Sequence, residues 1–228
     1  MGFGAKPQNK NDMNKTHILF DLDGTLTDPG LGITNSVAFA LSHFGITVSD
    51  RSDLYRFIGP PLMDSFTEFY GFSEEQATEA VRVYREYFAD RGWAENTVFE
   101  GIEDLLAALV AEGKTLLVAT SKPQVFAEKI LHHFGLAKYF THICGVALQA
   151  PRGYGKAEVI REALRKAGVT DLSTAVMVGD RHHDIDGAKA VGLESIGVLY
   201  GYGDRAEHEA AGADVIAESV ADLRSVLL

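Results

Sequence analysis

The stretch His17-Ile18-Leu19-Phe20-Asp21-Leu22-Asp23-Gly24-Thr25-Leu26 carries the sharpest structural signal in the chain. A short apolar run stops abruptly at Asp21, which marks a buried strand with acid at its carboxyl end. A second aspartate stands two residues on, and Gly24 then permits a turn whose backbone amides, with Thr25 next in line, are expected to form an anion-binding nest. Similar apolar runs recur at Thr115 to Ala119, Ala175 to Val178 and Ser195 to Leu199, with a weaker one at Asp214 to Ile216. Helical patterns separate most of them. Phe126, Ile130 and Phe134 recur at spacing four before Gly135, and Val159, Ile160, Ala163, Leu164 and Ala167 share a face before Gly168. Strands alternating with helices predict an α/β protein with a doubly wound parallel sheet, Rossmann-like. In such a sheet ligands bind at the carboxyl ends of the strands, so Asp21 and Asp23 belong to the expected site.

Between the first strand and the Thr115 strand no strand signal occurs. Ile33, Val37, Leu41 and Phe44 mark a helix that stops at Gly45. Pro60-Pro61 opens another that ends at Gly71, and Ser73 with Gln76 makes a capping box for a third running through Val81, Tyr84 and Phe88 to Gly92. The expected organisation is a leader at 1–15, a catalytic core at 16–27 and 100–228, and a helical cap at 28–99.

Composition narrows the function. The 228 residues are 46% hydrophobic and 23% charged, with a net charge of -11. Those are globular proportions, and the acidic balance disfavours a nucleic-acid polymer or an anionic membrane as partner. The single cysteine, Cys144, has no disulfide partner in the chain, which suits the cytoplasm. No apolar stretch reaches membrane-span length, and the leader lacks the apolar region of a secretion signal. The expected state is a monomer or weak dimer.

A second acidic cluster, Gly179-Asp180-Arg181-His182-His183-Asp184, also follows an apolar strand and precedes a helix. Gathering Asp21, Asp23, Asp180 and Asp184 would be self-repelling without a cation, and an all-oxygen set suits Mg²⁺. Thr120, with Ser121 and Lys122 beside it, supplies polar groups at a third strand end. Lys156 opens a helix and has the reach for a phosphate oxygen or a carboxylate.

These pieces, in this order, resemble the haloacid dehalogenase superfamily of phosphohydrolases with a helical cap after the first motif, over about residues 16 to 228. The Phe57-Ile58-Gly59-Pro60-Pro61-Leu62 segment and the stretch from Asp28 to Gly32 look like its phosphoglycolate phosphatase group and 5′-nucleotidase-like relatives. The resemblance implies that Asp21 is the nucleophile, Asp23 the acid/base, Thr120 a phosphate ligand, Lys156 a charge-steadying cation, and Asp180 a Mg²⁺ ligand supported by Asp184. The lysine of many relatives precedes proline. Here Gly155-Lys156-Ala157 follows a loop containing Arg152, which is the alternative phosphate-facing cation.

The expected function is therefore a phosphatase for a small phosphomonoester. A sugar-phosphate mutase would share the first steps and differ in the acceptor. A phospho-accepting receiver domain would share the sheet and the clustered aspartates but has no reason for the helical insert. From Asp28 to Phe99 there are 11 acids and 5 arginines, which disfavours a highly anionic leaving group. Arg56 and Phe57 are the expected substrate-binding residues of the cap, one for an anion and the other for stacking.

Overall fold

The computed structural model describes residues 15–148 and 154–228. Arg152 lies outside the described residues, as do positions 1–14 of the expected leader. Lys15 is no part of a loose leader: it is buried, its ammonium 2.8 Å from Glu194 and donating to the Ser173 carbonyl at 2.8 Å.

Strand β1 (His17–Phe20) sits inside a six-stranded parallel sheet with β4 (Thr115–Pro123), β5 (His142–Val146), β6 (Ala175–Gly179), β7 (Glu194–Val198) and β8 (Val215–Ala217), in the order β5-β4-β1-β6-β7-β8. All five pairings are parallel. Strand alternation sends Ile18, Phe20, Leu116, Val118, Val176 and Val178 to one face, against α4 (Ile102–Ala111), α5 (Gln124–His133) and α9 (Val220–Leu227). Leu19, Leu117, Ala119 and Met177 face the other way, against α6 (Lys156–Lys166) and α7 (His182–Val191). Burial on both faces explains why these strands read as unbroken apolar runs. The chain leaves β1 for β4 and β5 on one side, then crosses to β6, β7 and β8 on the other. The crevice created by that reversal lies at the carboxyl end of β1.

Two strands of two residues, β2 (Thr27–Asp28) and β3 (Thr97–Val98), pair antiparallel and carry the chain out of the sheet and back. Between them stand α1 (Gly30–His43), a 3₁₀ turn at Arg51–Phe57, α2 (Leu62–Tyr70), α3 (Glu74–Tyr87) and a wide π-type turn at Phe88–Gly92. The stops are local. Gly45 and Gly71 take left-handed conformations, and Ser73 and Gln76 form the reciprocal capping box. This helical cap has its own core around Val37, Leu41, Leu54, Phe57, Phe66, Val81 and Tyr84.

Three expectations need correction. The sheet has a strand, β5, that the apolar pattern missed. Strand β4 does not end at Ala119 but runs on through a register irregularity to Pro123. The third cap helix gives way at Phe88 to the π-type turn instead of continuing regularly to Gly92.

Candidate active site

The carboxyl ends of β1, β4 and β6 lie side by side. Asp21 follows β1 directly, with its amide donating to the Val178 carbonyl of β6 at 2.9 Å. Asp180 follows β6, and Asp184 lies in the first turn of α7. One carboxylate oxygen from each of Asp21, Asp180 and Asp184 lies within 4.8 Å of the others, and all three side chains are buried. Asp180 also keeps a buried Oδ1 that accepts no hydrogen bond.

Lys156 answers part of this charge. Its ammonium is 2.8 Å from Asp21 Oδ1 and 2.6 Å from Asp184 Oδ1, and it donates to the Ala119 carbonyl at 3.1 Å. Burial works to discharge this lysine, but the carboxylates of Asp184 and Asp21 outweigh it and hold the ammonium form. Burial raises Asp180 well above the ordinary carboxylate range, with Asp184 and Asp21 adding to the effect. Burial likewise pushes Asp184 up to about 6 despite Lys156. One ammonium for three buried carboxylates leaves a site that favours a further positive charge. The donors are hard oxygens, so a small divalent cation such as Mg²⁺ fits.

The cradle is shaped by absent side chains. A Cβ at Gly24 would sit 2.0 Å from Asp180 Oδ2, and Gly24 adopts φ +80°, which favours glycine for a second reason. Asp184 does two jobs: Oδ2 accepts from the Arg181 amide at 3.1 Å, starting α7, while Oδ1 joins the cluster.

The Asp23 carboxylate lies outside this trio. Its Oδ2 is 2.5 Å from the ammonium of Lys122, and its Oδ1 is buried without a partner. Burial raises its pKa, opposed by Lys122. Thr120 is buried on β4 and accepts from the Lys122 amide at 3.2 Å, whereas Ser121 is exposed.

The expected anion nest is not formed. The Gly24 amide donates to Thr27 O at 2.7 Å and the Thr25 amide points to Leu22 O at 3.3 Å, so both close the turn instead of facing a ligand. Phe57 is no stacking surface either. It is buried in the cap core against Phe66 and Phe69, with ring centroids 5.1 and 5.3 Å away. Arg56 is exposed and lies over the Phe69 ring at 4.4 Å.

Arg181, Tyr202 and Lys122 went unassigned by sequence reasoning. Arg181 donates from Nη1 to Ile58 O in the cap at 2.6 Å and from Nε to Glu207 at 2.9 Å. The Tyr202 amide donates to Asp180 Oδ2 at 2.8 Å, and its hydroxyl donates to Asp28 in β2. The flanking glycines were the available signal: a Cβ at Gly201 would meet Gly24 O at 2.2 Å, and one at Gly203 would meet Asp180 O at 2.0 Å.

Comparison with known proteins identifies the family. The chain is 49% identical over 211 residues to a 5′-nucleotidase of Pseudomonas aeruginosa, covering 92% of this chain and 95% of that one. It is 30% identical over 220 residues to a phosphoglycolate phosphatase of Vibrio parahaemolyticus, covering 92% and 95%. A crystal structure described as a predicted phosphatase from Clostridium acetobutylicum superposes with a TM-score of 0.88 at 48% identity, over 92% of this chain and 97% of that one. With residues 18–198 matching the family model for haloacid dehalogenase-like hydrolases, and the β1 acids, Lys156 and the β6 acids gathered at one crevice, the chain belongs to that family of enzymes.

Proposed function

We propose that this hydrolase is a Mg²⁺-dependent phosphatase that cleaves a small soluble phosphomonoester through an aspartyl-phosphate on Asp21. The observation that carries the reading is the contrast between two aspartates two residues apart. Asp21 shares a buried cluster with Asp180, Asp184 and Lys156, whereas Asp23 sits outside it with its own cation and one unpartnered oxygen. Different surroundings for neighbouring carboxyls allow one to act as nucleophile and the other to carry a proton.

Asp21, Asp180 and Asp184 would hold Mg²⁺. When bound, the ion neutralises the repulsion between these carboxylates and a dianionic phosphate. Asp21 attacks phosphorus, the bond from phosphorus to the leaving oxygen breaks, and Asp23 delivers its proton to that oxygen. Asp23 then takes a proton from the water that attacks the phosphorylated Asp21, which releases phosphate and restores both groups. Lys156 and Thr120 steady the negative charge on the transferring oxygens.

The cap rings nearest Lys122 and Asp23, Phe88 and Tyr84, are buried in the cap core. Phe88 stacks on Tyr84 with ring centroids 5.6 Å apart, and burial raises the Tyr84 phenol with the Asp23 charge adding to it. Lys122 already balances Asp23 and leaves no spare cation beside it for a second carboxylate, which favours a nucleoside 5′-monophosphate over phosphoglycolate. The same reading places the enzyme in the cytoplasm, as a monomer or weak dimer, with no nucleic-acid polymer or membrane as partner.

The test is phosphate release from a panel of phosphomonoesters with Mg²⁺, combined with acid-quenched labelling of wild type and Asp21→Asn. Covalent label should appear on wild type and vanish in the variant. Free phosphate also separates a hydrolase from a mutase, which hands the phosphoryl group to a sugar. Label that survives Asp21→Asn would refute the nucleophile, and no turnover of any ester would refute the phosphatase.

A further inference from the structure

Lys122 has one more contact than a simple counter-ion needs. The irregularity in β4 between Ala119 and Pro123 leaves Ser121 exposed and turns Lys122 inward, where the residue is only 8% exposed. Its amide donates to Thr120 Oγ1 at 3.2 Å. Its ammonium lies 2.5 Å from Asp23 Oδ2 and 4.7 Å from the centroid of the Phe88 ring. Phe88 belongs to the cap, stacks on Tyr84 at 5.6 Å and meets Phe126 of α5 edge-on at 5.0 Å. One side chain therefore touches the β1 turn and the cap, while its backbone supports Thr120.

We propose that Lys122 is a positioning residue for phosphoryl transfer: held between Asp23 and the cap ring of Phe88, it fixes the direction in which the second oxygen of Asp23 faces the leaving group. The inference rests on the reading of Asp23 as the group that protonates the leaving oxygen. Its geometric basis is the division of labour within one carboxyl. Oδ2 is bound to the ammonium, and Oδ1 is buried with no partner. A carboxyl free to rotate about its last torsion would present either oxygen in many directions, while one tied at Oδ2 presents Oδ1 in one. The aromatic face supplies the second attachment, since a cation over a ring is attracted to it and the ring excludes water from that side. Neither contact alone holds a four-carbon chain with free rotors in place.

A positioning role for a proton donor has a signature that simple loss of structure lacks. A leaving group that is already a stable anion needs no proton, whereas an alkoxide does. The experiment measures kcat/KM with Mg²⁺ for p-nitrophenyl phosphate and for a simple alkyl phosphate, using wild type, Lys122→Met and Phe88→Leu. Lys122→Met should lose at least about tenfold more on the alkyl ester than on the nitrophenyl ester, a share of the roughly 10²–10⁴-fold that general acids supply. Phe88→Leu, which keeps the lysine and loosens it, should show a smaller split in the same direction. Equal losses on both esters in Lys122→Met would overturn the proposal, as would the absence of any split in Phe88→Leu. If circular dichroism shows Lys122→Met to be unfolded, the Phe88→Leu split decides by itself. Wild type that turns over neither ester would instead refute the phosphatase reading on which the inference stands.

Discussion

Replacing Lys156 by methionine is the most demanding check on the electrostatics of the site. The ammonium is buried and lies 2.8 and 2.6 Å from two carboxylates. At an effective dielectric of about 20 each contact is worth roughly 6 kcal/mol of direct attraction, most of it offset by the cost of taking the charges out of water. The measurable quantity is the cost of stranding the carboxylates, about 3–5 kcal/mol when one partner of a buried pair is removed. Methionine keeps the packing, because the lysine stem lies against Gly187, where a Cβ would meet Lys156 Cγ at 2.7 Å. In a domain of this size the loss lowers the melting temperature by about 6–20 °C.

The pH dependence gives the sign. Asp184 has its folded pKa raised to about 6, against an unfolded value near 3.8. The stability contributed by such a group is present in full below the unfolded value and is lost as pH rises through the folded one. Without the ammonium the folded pKa rises further, so the deficit of Lys156→Met should be largest near pH 8 and shrink toward pH 5. Added Mg²⁺ should narrow it at pH 8, since removing the ammonium leaves more uncompensated negative charge and tightens Mg²⁺ binding by the variant, each tenfold in Kd at saturating ion being worth about 1.4 kcal/mol of the difference. Urea or thermal unfolding of both proteins in EDTA and in Mg²⁺ measures all of this. A variant within about 0.5 kcal/mol of wild type in EDTA at pH 8, or a deficit unchanged between pH 5 and 8, would refute the pairing.

Wild-type activity should vanish in EDTA and return with Mg²⁺, and the rise in melting temperature on adding Mg²⁺ should be greater at pH 8 than at pH 5, because protons compete for the raised carboxyls of Asp180 and Asp184; calorimetry at the two pH values checks it. Gly24→Ala should destabilise the protein by about 1–3 kcal/mol and weaken Mg²⁺ binding at least tenfold by titration, since its methyl would collide with Asp180 and its φ is left-handed. Arg181→Ala, which releases Ile58 from the core, should lower kcat/KM for nucleotide substrates more than for p-nitrophenyl phosphate, whereas Arg56→Ala, exposed over Phe69, should change stability by less than about 0.5 kcal/mol.

What the sequence made legible was whatever a local rule fixes. The run ending at Asp21 announces a buried strand because both of its faces meet helices, and Gly45, Gly71 and the Ser73–Gln76 box announce helix ends because each satisfies its backbone within a few residues. Strand β5 escaped because His142 and Gly145 interrupt it and only Cys144 is fully buried, so it never forms an apolar run. Phe57 misled because an aromatic side chain looks the same in sequence whether it packs a cap core or faces a ligand. Lys122 escaped for a different reason. Ending the strand at Ala119 hides the period of two that would have put Thr120 and Lys122 on one face, and the partner that gives the lysine its role, Asp23, is 99 positions away. Charge partners across such distances are set by the order of strands in the sheet, and β4 stands next to β1 only because the chain turns back after the cap. The pairing that fixes Asp23 is therefore a property of the topology, and the cap helices inserted between these two strands bring Phe88 over the same lysine.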